Sequence, residues 1–500
     1  MILTNSTTAE VGTSNVNTIA SSTASFRQFM VYSATTISSV ISGIIGLIKN
    51  GTGALTLSGN NTYTGTTTIS AGTLKLGSAT GVSSASTLNA TGGVFDLNGF
   101  NATVAAVGVG NAAGTISNSA SGSGTNTLTI TNYNVNLASL ITDGSTAKTA
   151  VTINNNGGAS PISNTNNTFS GGFTIAYGGS GGGSRLYQGS VTNTVVGGIL
   201  TKSNLGTGTL TIGATGSAAN AQLYLTSGSL YNNVIVNAAN YADGGAAAFR
   251  LDGTGIQFYG TITAGSSNIN ISSQTTGTAT LNGQLTGTNG LLLKTPAGVG
   301  ATFTLTLANT LNPTNNYSGN TTTATRTTIA LAAVNQIPNG TGKGNVVNNG
   351  TLTLGGLSHT INGLSGSGTI DGISGTPTLT VGNNDATSSF SGVIKNTSGT
   401  LSLTKTGTGS LTLTGVNTYT GATSISAGSI ITPKTSGAST GTATFTNTTL
   451  SISFDVAPTV GMTFRYFPGT TTQTYASVTL IGAPGRTGVY TSATSTLTIA

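Results

Sequence analysis

Residues Gly53–Leu74 read GALTLSGNNTYTGTTTISAGTL, and residues Gly409–Ile430 read GSLTLTGVNTYTGATSISAGSI. The two stretches are identical at 15 of 22 positions, although equivalent residues are offset by 356 positions. The similarity continues upstream, where LIKNGTG from Leu47 matches LTKTGTG from Leu403. Self-similarity of this kind is typical of repeat architectures, in which the repeats stack into one continuous body.

Weaker copies lie between these two stretches. NTFSG begins at Asn167 and NNYSG begins at Asn315, and a second repeat type pairs GVFDLNGFNATVAAV from Gly93 with GTLTLGGLSHTINGL from Gly350. We expect the shared aromatic position to form a ladder inside the fold or against a corner rather than a sugar-binding platform. The shared lysine is expected at an exposed corner, where it keeps strand edges soluble. The structural repeat positions are Tyr63, Phe169, Tyr317 and Tyr419 (aromatic), Asn61 and Asn417, Gly65 and Gly421, and Lys49, Lys294 and Lys405.

The repeats have the pattern of short, half-buried strands. Triplets such as LTL and TTI alternate an aliphatic residue with Thr and are separated by Gly- and Asn-rich breaks. The chain has 75 glycines, only 5% charged residues and a single Glu, which leaves few helix formers. We therefore predict an all-β protein, a right-handed parallel β-helix in which each coil takes about 20–25 residues.

The two ends differ from the repeats. Residues 1–42 lack the repeat, and we expect an N-terminal cap or attachment segment there; residues 43–440 should form the β-helix. Residues 441–500 indicate a C-terminal β-hairpin or β-sandwich-like cap, or an oligomerisation segment, with an aromatic cluster at Phe464, Tyr466 and Phe467. Caps are expected because an open solenoid end exposes its core and unpaired strand edges.

Charge and composition exclude several classes of function. Fifteen Lys and Arg against eight Asp and Glu leave a net charge of +7, but the cations are scattered singly, so we expect no nucleic-acid groove. The absence of Cys removes disulfides and thiolate chemistry. The most apolar stretch, residues 37–48, is too short and too glycine-interrupted to span a bilayer.

The acidic residues give little indication of catalysis. Glycoside hydrolysis needs two carboxyl groups about 5–10 Å apart. The nearest pairs in sequence are Asp243 with Asp252, close to Arg250, and Asp371 with Asp385. Neither pair belongs to a dense acidic motif, so we expect turns rather than an active site, and no enzyme.

A metal or cofactor site is not expected either. His359 is the only histidine, and its repeat counterpart is Ala102, so we expect a turn or surface histidine. One histidine without cysteine excludes the usual zinc site. The sequence therefore predicts no catalytic, cofactor-binding or metal-ligating residue.

The pattern L-x-K-x-G-x-G-x-L-T-L-x-G-x-N-x-Y-x-G-x-T-x-I-x-A-G-x-L resembles the autotransporter-associated β-strand repeat. The similarity covers roughly residues 45–73 and 392–430, with degenerate matches across 85–390. Such repeats occur in passenger domains of secreted bacterial autotransporters, and similar ones occur in fibre-like proteins of tailed phages. The resemblance implies a parallel β-helix presented outside a cell or on a particle, and it carries no catalytic residues.

We expect a non-enzymatic structural or adhesive solenoid. Neither an export signal at the start nor amphipathic barrel strands at the end are recognisable, which favours a virion fibre, spike or decoration component of a tailed phage. The alternative is a bacterial cell-surface adhesin or extracellular filament subunit, and a polysaccharide depolymerase comes third. The expected partners are further copies of the chain, other virion or surface proteins, and host surface glycans.

Overall fold

A computed structural model describes the side chains of residues 27–108, 114–132, 137–154, 161–176, 184–213, 221–238, 247–298, 300–310 and 314–431, and beyond them only the backbone of short strands. Within these described residues the regular elements are β-strands, and no α-helix occurs. Such a composition suits strands, because Val, Ile and Thr pack well on a pleated surface and glycine permits tight turns.

The chain divides into two compact units, Met1–Arg250 and Leu251–Ala500. Each is built from stacked parallel strands, which form successive turns of a parallel β-solenoid. The predicted all-β parallel β-helix is therefore confirmed, while its handedness stays a prediction.

In the first unit, three parallel sheets receive one strand from successive coils. The first stacks Ile2–Leu3, Phe26–Val31, Gly46–Asn50, Thr67–Ile69, Thr87–Ala90 and Ala106–Val107. The second stacks Ala9–Val11, Thr35–Ile37, Ala54–Leu57, Thr73–Leu76, Val94–Asp96, Thr115–Ser117 and Leu140–Ile141. The third stacks Ala102–Val104, Thr125–Ile130, Lys148–Ile153, Phe173–Ile175, Leu210–Ile212 and Val234–Val236.

Three further strand pairs complete the first unit. Thr18–Ser21 pairs with Val40–Gly43, and Ser184–Val191 pairs with Ala221–Leu230, both in parallel. Asn193–Val196 pairs with Ile199–Ser203 in the antiparallel sense. A further short strand spans Phe249–Leu251.

The second unit repeats this architecture. Its longest run stacks Ile256–Phe258, Gly277–Leu281, Phe303–Leu307, Thr327–Leu331, Thr351–Thr353, Thr369–Gly372 and Val393–Asn396. Two others stack Ile269–Ser272, Leu291–Leu293, Thr321–Thr323, Val346–Asn348 and Leu364–Ser365, and His359–Ile361, Thr378–Val381, Ser402–Lys405, Thr423–Ile425, Thr449–Ser453 and Ser477–Ile481. The shorter ones stack Ile262–Ala264 with Leu285–Gly287, and Ser388–Phe390, Ser410–Leu413 and Ser429–Ile431.

The core consists of ladders of aliphatic and aromatic side chains. Most strands alternate a buried residue with a half-exposed one, so one face of each strand points inward. Parallel in-register pairing then places each inward residue on its counterpart in the next coil. One ladder in the first unit is Leu55, Leu74, Phe95, Ile116 and Ile141, and one in the second is Leu305, Ile329, Leu352, Ile370 and Ile394, all fully buried or nearly so.

One coil of the first unit is longer than its neighbours. Phe173 pairs with Leu210, 37 residues later, whereas Leu210 pairs with Val234 after 24 residues. The additional length includes the antiparallel pair Asn193–Val196 and Ile199–Ser203, a β-hairpin whose turn is Gly197-Gly198. Both turn glycines have positive φ, 58° and 83°, as a two-residue hairpin turn that matches the strand twist requires.

The ends continue the parallel pairing further than the sequence suggests. Ile2 pairs with Met30, and Thr449–Ser453 and Ser477–Ile481 extend a parallel sheet, although the sequence favours hairpins after residue 441. Antiparallel pairs do occur there, joining Thr496–Ile499 to two other short strands, Thr463–Arg465 and Gly488–Thr491. Capping and attachment stay predictions, and the expected aromatic cluster at Phe464, Tyr466 and Phe467 lies outside the residues whose side chains are described.

Candidate functional site

A seven-residue corner with the pattern Asn-x-(Tyr/Phe)-x-Gly-x-(Thr/Phe) recurs four times. Its copies are residues 61–67, 167–173, 315–321 and 417–423, and we call each copy an asparagine corner. The last residue of each corner begins a short strand. These corners contain most of the repeat positions that the sequence singles out, so their geometry decides whether the repeat forms a binding surface or a scaffold.

The asparagine of each corner bonds to the backbone of neighbouring coils. Its Oδ1 accepts a backbone N–H from the preceding coil. The four pairs are Asn61 with Ile41 (2.7 Å), Asn167 with Ile141 (2.8 Å), Asn315 with Leu285 (2.9 Å) and Asn417 with Ile394 (2.8 Å). The Nδ2 of Asn61 also donates to the carbonyl of Gly81 in the following coil at 2.7 Å. One buried amide therefore links three successive coils, and it supplies partners for backbone groups that the sheets leave unpaired.

The glycine of each corner lies against the preceding coil. A Cβ atom at this position would come within 2.3 Å of the carbonyl oxygen of Ile45 for Gly65, and within 2.3 Å of that of Leu401 for Gly421. Gly171 and Gly319 have comparable backbone contacts, at 2.5 and 2.4 Å. Only glycine allows the backbones to approach so closely, which explains its recurrence.

The aromatic side chain of each corner is buried. Tyr63 donates or accepts a hydrogen bond with Thr67 Oγ1 at 2.6 Å, and Thr67 in turn bonds Ser86 Oγ at 2.8 Å. The same 2.6 Å bond joins Tyr317 to Thr321 and Tyr419 to Thr423. Burial raises the pKa of Tyr63 to about 12. These rings face the interior, so a sugar-binding platform on the outside is not available to them.

The second corner replaces both partners of this hydrogen bond. Phe169 occupies the tyrosine position and Phe173 occupies the threonine position, and both side chains are fully buried. Loss of both hydroxyls together removes donor and acceptor at once, whereas loss of one alone would leave the other buried hydroxyl with one partner fewer. The chain thus contains two alternative solutions for the same corner.

The lysine before the glycine-rich turn lies inside the fold, so the predicted exposed corner is wrong for two of the three positions. Lys49 and Lys405 are both fully buried. Lys49 Nζ donates to the carbonyl oxygens of Asn50 (3.0 Å), Gly51 (2.8 Å) and Ala71 (3.0 Å). Lys405 Nζ donates to the carbonyls of Thr406 and Gly407. The ammonium group thereby provides hydrogen-bond donors for turn carbonyls that have no partner strand.

Burial changes the acid–base behaviour of these lysines. It lowers the pKa of Lys49 to about 8 and also lowers that of Lys405, where the nearby carboxylate of Asp385 opposes the shift. Lys294 is half-buried, and burial lowers its pKa as well. A lysine tolerates such a site because its compact ammonium group can donate three hydrogen bonds.

Aspartates act as links between successive coils. In each link the carboxylate accepts hydrogen bonds from a residue 21 to 27 positions later, usually from both the backbone N–H and the hydroxyl of a Ser or Thr. The links are Asp96 to Ser119, Asp143 to Ser170, Asp252 to Ser273 and Gln274, Asp371 to Thr397, and Asp385 to Thr408. Lys395 adds an ion pair to Asp371 at 3.2 Å.

Both carboxylates of one candidate catalytic pair, and one carboxylate of the other, are engaged in such links. Asp371 and Asp385 each bond a different residue of the following coil, Thr397 and Thr408. Asp252 is likewise engaged, and its sequence neighbour Asp243 lies outside the described residues. The predicted role of aspartates in turns understates their function, because the bonds join coils that are distant in sequence.

The single histidine is buried rather than exposed, so the expectation of a turn or surface position is wrong. His359 opens the strand His359–Ile361, and its Nε2 lies 3.3 Å from the carbonyl oxygen of Leu354. Burial lowers its pKa, and the contact with Leu354 opposes that shift. The repeat counterpart Ala102 is buried too, which is the signal in the sequence that marks this position as inward-facing.

Neither a metal-binding cluster nor a membrane-spanning helix is present among the described residues. No group of three or more His, Cys, Asp or Glu side chains there is placed to hold a metal ion. In the same part of the chain, no helix has the length and hydropathy needed to cross a membrane.

The stacked coils and their recurring corners define a repeat-built parallel β-solenoid. The model of the passenger-associated-transport-repeat matches residues 47–76 and 403–431, so the chain carries two copies of this repeat. Each matched segment contains a buried lysine and a complete asparagine corner. The predicted resemblance to the autotransporter-associated β-strand repeat is thus confirmed. No curated protein and no solved structure matches the chain.

Proposed function

We propose that this chain is a non-enzymatic scaffold displayed at a cell surface or released outside the cell, in the manner of an autotransporter passenger. The repeat match supports the extracellular setting, because the family is one of transported passengers. Within the two matched segments, the recurring polar side chains bond to the backbone or to each other inside the solenoid. The proposal is based on this observation: the recurring polar side chains of the repeat hold the solenoid together instead of facing a ligand.

The hydrogen bonds made by the aspartate carboxylates support the non-enzymatic part of the proposal. A hydrolase of polysaccharides needs a proton donor and a second carboxylate that face the same bound sugar. Here the five aspartates with described side chains hold Ser, Thr or Gln residues of the next coil, so their lone pairs stabilise the fold. The outer positions of the strands are dominated by Thr, Ser and Asn, which suits contact with water.

The location is tested on the organism that produces the chain. Intact cells are treated with an externally added protease and probed with an antibody against residues 251–431, and purified phage particles from the same source are probed in parallel. We expect the signal on intact cells or in the medium and its loss on protease treatment. Signal confined to phage particles would overturn this proposal and restore the virion role that the sequence first suggests.

The absence of catalysis needs a separate assay. The purified chain is incubated with a panel of capsular and plant polysaccharides, and new reducing ends and unsaturated products are measured over time. We expect no turnover above that of a heat-inactivated sample. Turnover that is abolished by Asp371→Asn or Asp143→Asn, in variants that keep the wild-type strand content, would establish a depolymerase instead.

A further inference from the structure

One sheet of the second unit carries threonine at most of its outward positions. Five consecutive strands of its longest run pair in parallel and in unbroken register, and these are Gly277–Leu281, Phe303–Leu307, Thr327–Leu331, Thr351–Thr353 and Thr369–Gly372. One outward column contains Thr278, Thr304, Thr328, Thr351 and Thr369, and the next contains Thr280, Thr306, Ala330, Thr353 and Asp371. We call the eight threonines of these two columns the threonine face.

The hydroxyl groups of the threonine face point to solvent. Thr278 is exposed, and the other seven side chains are half-exposed. The Oγ1 of Thr278 accepts the backbone N–H of Gly255 at 2.9 Å, whereas the other seven hydroxyls bond to no group among the described residues. Thr327, whose side chain faces inward, shows the contrast, because its Oγ1 donates to the carbonyl of Ala324 at 2.7 Å. The donors and acceptors of the face are therefore left to bond with water.

The backbone sets the spacing of these hydroxyl groups in two directions. Paired strands lie about 4.8 Å apart, and outward residues that follow each other along one strand lie about 6.7 Å apart. Threonine is β-branched and restricted in χ1, so its methyl and hydroxyl groups occupy defined positions. The threonine face is thus a two-dimensional array with a regular repeat in both directions.

We propose that the threonine face binds ice. Both repeats of the array are close to those of water molecules on the prism face of hexagonal ice, so several hydroxyl groups can bond lattice water molecules at the same time. A single hydroxyl–water bond contributes little in liquid water, because it replaces another bond of the same kind. A crystal holds its water molecules in fixed positions, and a rigid array loses little conformational entropy when it binds them.

The distribution of charge favours this face over the sheet that contains the first repeat match. The outward positions of the five strands include one charged residue, Asp371, which is buried at the end of the array and bonded to Thr397. Within the matched segment 47–76, Lys75 occupies an outward position and pairs with Asp96 at 3.9 Å, so charges interrupt the threonines there. A crystalline polysaccharide is a weaker match, because the face has no aromatic side chain that could stack on sugar rings.

Ice binding goes beyond the proposed scaffold role, and its test does not depend on where the chain is displayed. Ice is grown slowly from a dilute solution of the purified full-length chain, and the protein concentration in the ice is compared with that in the remaining liquid. Single ice crystals are held just below the melting point in the same solution, and their shape and freezing point are recorded. We expect enrichment in the ice relative to serum albumin, and faceted crystals with a depressed freezing point. Exclusion from ice to the same extent as serum albumin would overturn the proposal.

Matched variants separate the threonine face from the rest of the surface. Thr304→Lys places a long, charged side chain within the array and should lose most of the enrichment in ice, because the neighbouring hydroxyl groups can no longer reach the lattice together. Thr152→Lys makes the same change in the first unit, in a ladder with Thr129 and Thr174 where Ala150 leaves the adjacent column incomplete. This control should keep the wild-type enrichment, and equal behaviour of the two variants would overturn the proposal.

The thermal midpoint is measured for every variant, because threonine also favours strands. A purely structural role of the face would lower the midpoint of Thr304→Lys and leave its enrichment in ice unchanged, which would contradict the proposal. Thr351→Lys provides the same test if Thr304→Lys does not fold. Adsorption to microcrystalline cellulose or chitin that is lost in Thr304→Lys, without enrichment in ice, would overturn ice as the ligand and indicate a polysaccharide surface.

Discussion

Asp143 and Ser170 lie 27 residues apart in the chain, and the carboxylate Oδ2 of Asp143 accepts the hydroxyl of Ser170 at 2.6 Å. The same carboxylate accepts the backbone N–H groups of Ser170 and Thr149 at 3.0 and 2.8 Å. A short side chain thus replaces strand pairing at a place where two coils meet outside their sheets. Four other described aspartates use the same device.

Removal of this charge should therefore weaken the solenoid. We expect Asp143→Asn to lower the free energy of unfolding by about 1–3 kcal/mol, because the new amide turns a donor toward N–H groups that previously met an acceptor. Urea unfolding followed by circular dichroism measures the change. Lys202→Gln, an exposed change in the hairpin, is the control and should shift stability by no more than about 0.5 kcal/mol. Equal effects of the two changes would contradict a structural role for Asp143.

The paired hydroxyls of the asparagine corner should be energetically coupled. Tyr63→Phe and Thr67→Val alone each leave a buried hydroxyl with fewer partners and should cost about 1–2 kcal/mol. The double variant should cost less than the sum of the two, because the corner then approaches the Phe169 and Phe173 arrangement. Urea unfolding of all four proteins gives the coupling free energy as a double-mutant cycle. Strict additivity would show that the 2.6 Å bond contributes nothing of its own.

The buried amide of Asn61 should matter more than either hydroxyl. Asn61→Ala removes bonds to the backbone of Ile41 and Gly81 and leaves both groups buried without their partner. We expect a loss of about 3 kcal/mol, on the order of two unsatisfied backbone groups. Hydrogen exchange should show the increase in opening concentrated at the N–H of Ile41. Uniform acceleration of exchange, without this local maximum, would argue against the link between coils.

The pH dependence of stability tests the buried lysine. Burial lowers the pKa of Lys49 from its ordinary 10.5 to about 8, so between these values the unfolded chain binds a proton that the folded chain has released. The free energy of unfolding should accordingly rise with pH over that window relative to Lys49→Met, which has no such proton. Urea unfolding of both proteins from pH 7 to pH 10 measures the difference. A difference that falls with pH would show that the three carbonyl contacts outweigh burial and favour the ammonium form.

Much of the fold follows from the sequence because local and global signals agree. Alternation in LTL and TTI places Leu and Ile inward, and Gly65 and Gly421 mark backbone contacts that no other residue tolerates. The inward position of Lys49 was also encoded, since it stands two residues after the buried Leu47 on the same strand. A charged lysine normally prefers an exposed position, so the residue type predicts the opposite. Hydrogen bonds from Nζ to the turn carbonyls make the buried position favourable.

Contacts between coils were less predictable. The partner of Asp143 depends on the number of residues in each turn, which varies from 18 to 37 between paired positions, so spacing alone does not identify Ser170. Tyr187 and Tyr224 are 37 residues apart, and their ring centroids come within 4.6 Å only because their strands pair in register. Arg250 reaches the Tyr224 hydroxyl from a position 26 residues further along the chain. None of these three side chains occupies a repeat position, so comparison of the repeat copies does not bring them together.

The hairpin in the 37-residue coil shows where the solenoid tolerates extra residues. Ladder positions before and after it, Phe173, Leu210 and Val234, remain in register, so the additional strands are accommodated without disturbing the neighbouring coils. A lineage can therefore lengthen, exchange or delete this projection while the rest of the gene stays constant. The same tolerance makes residues 193–203 a natural position at which to graft a foreign peptide for display.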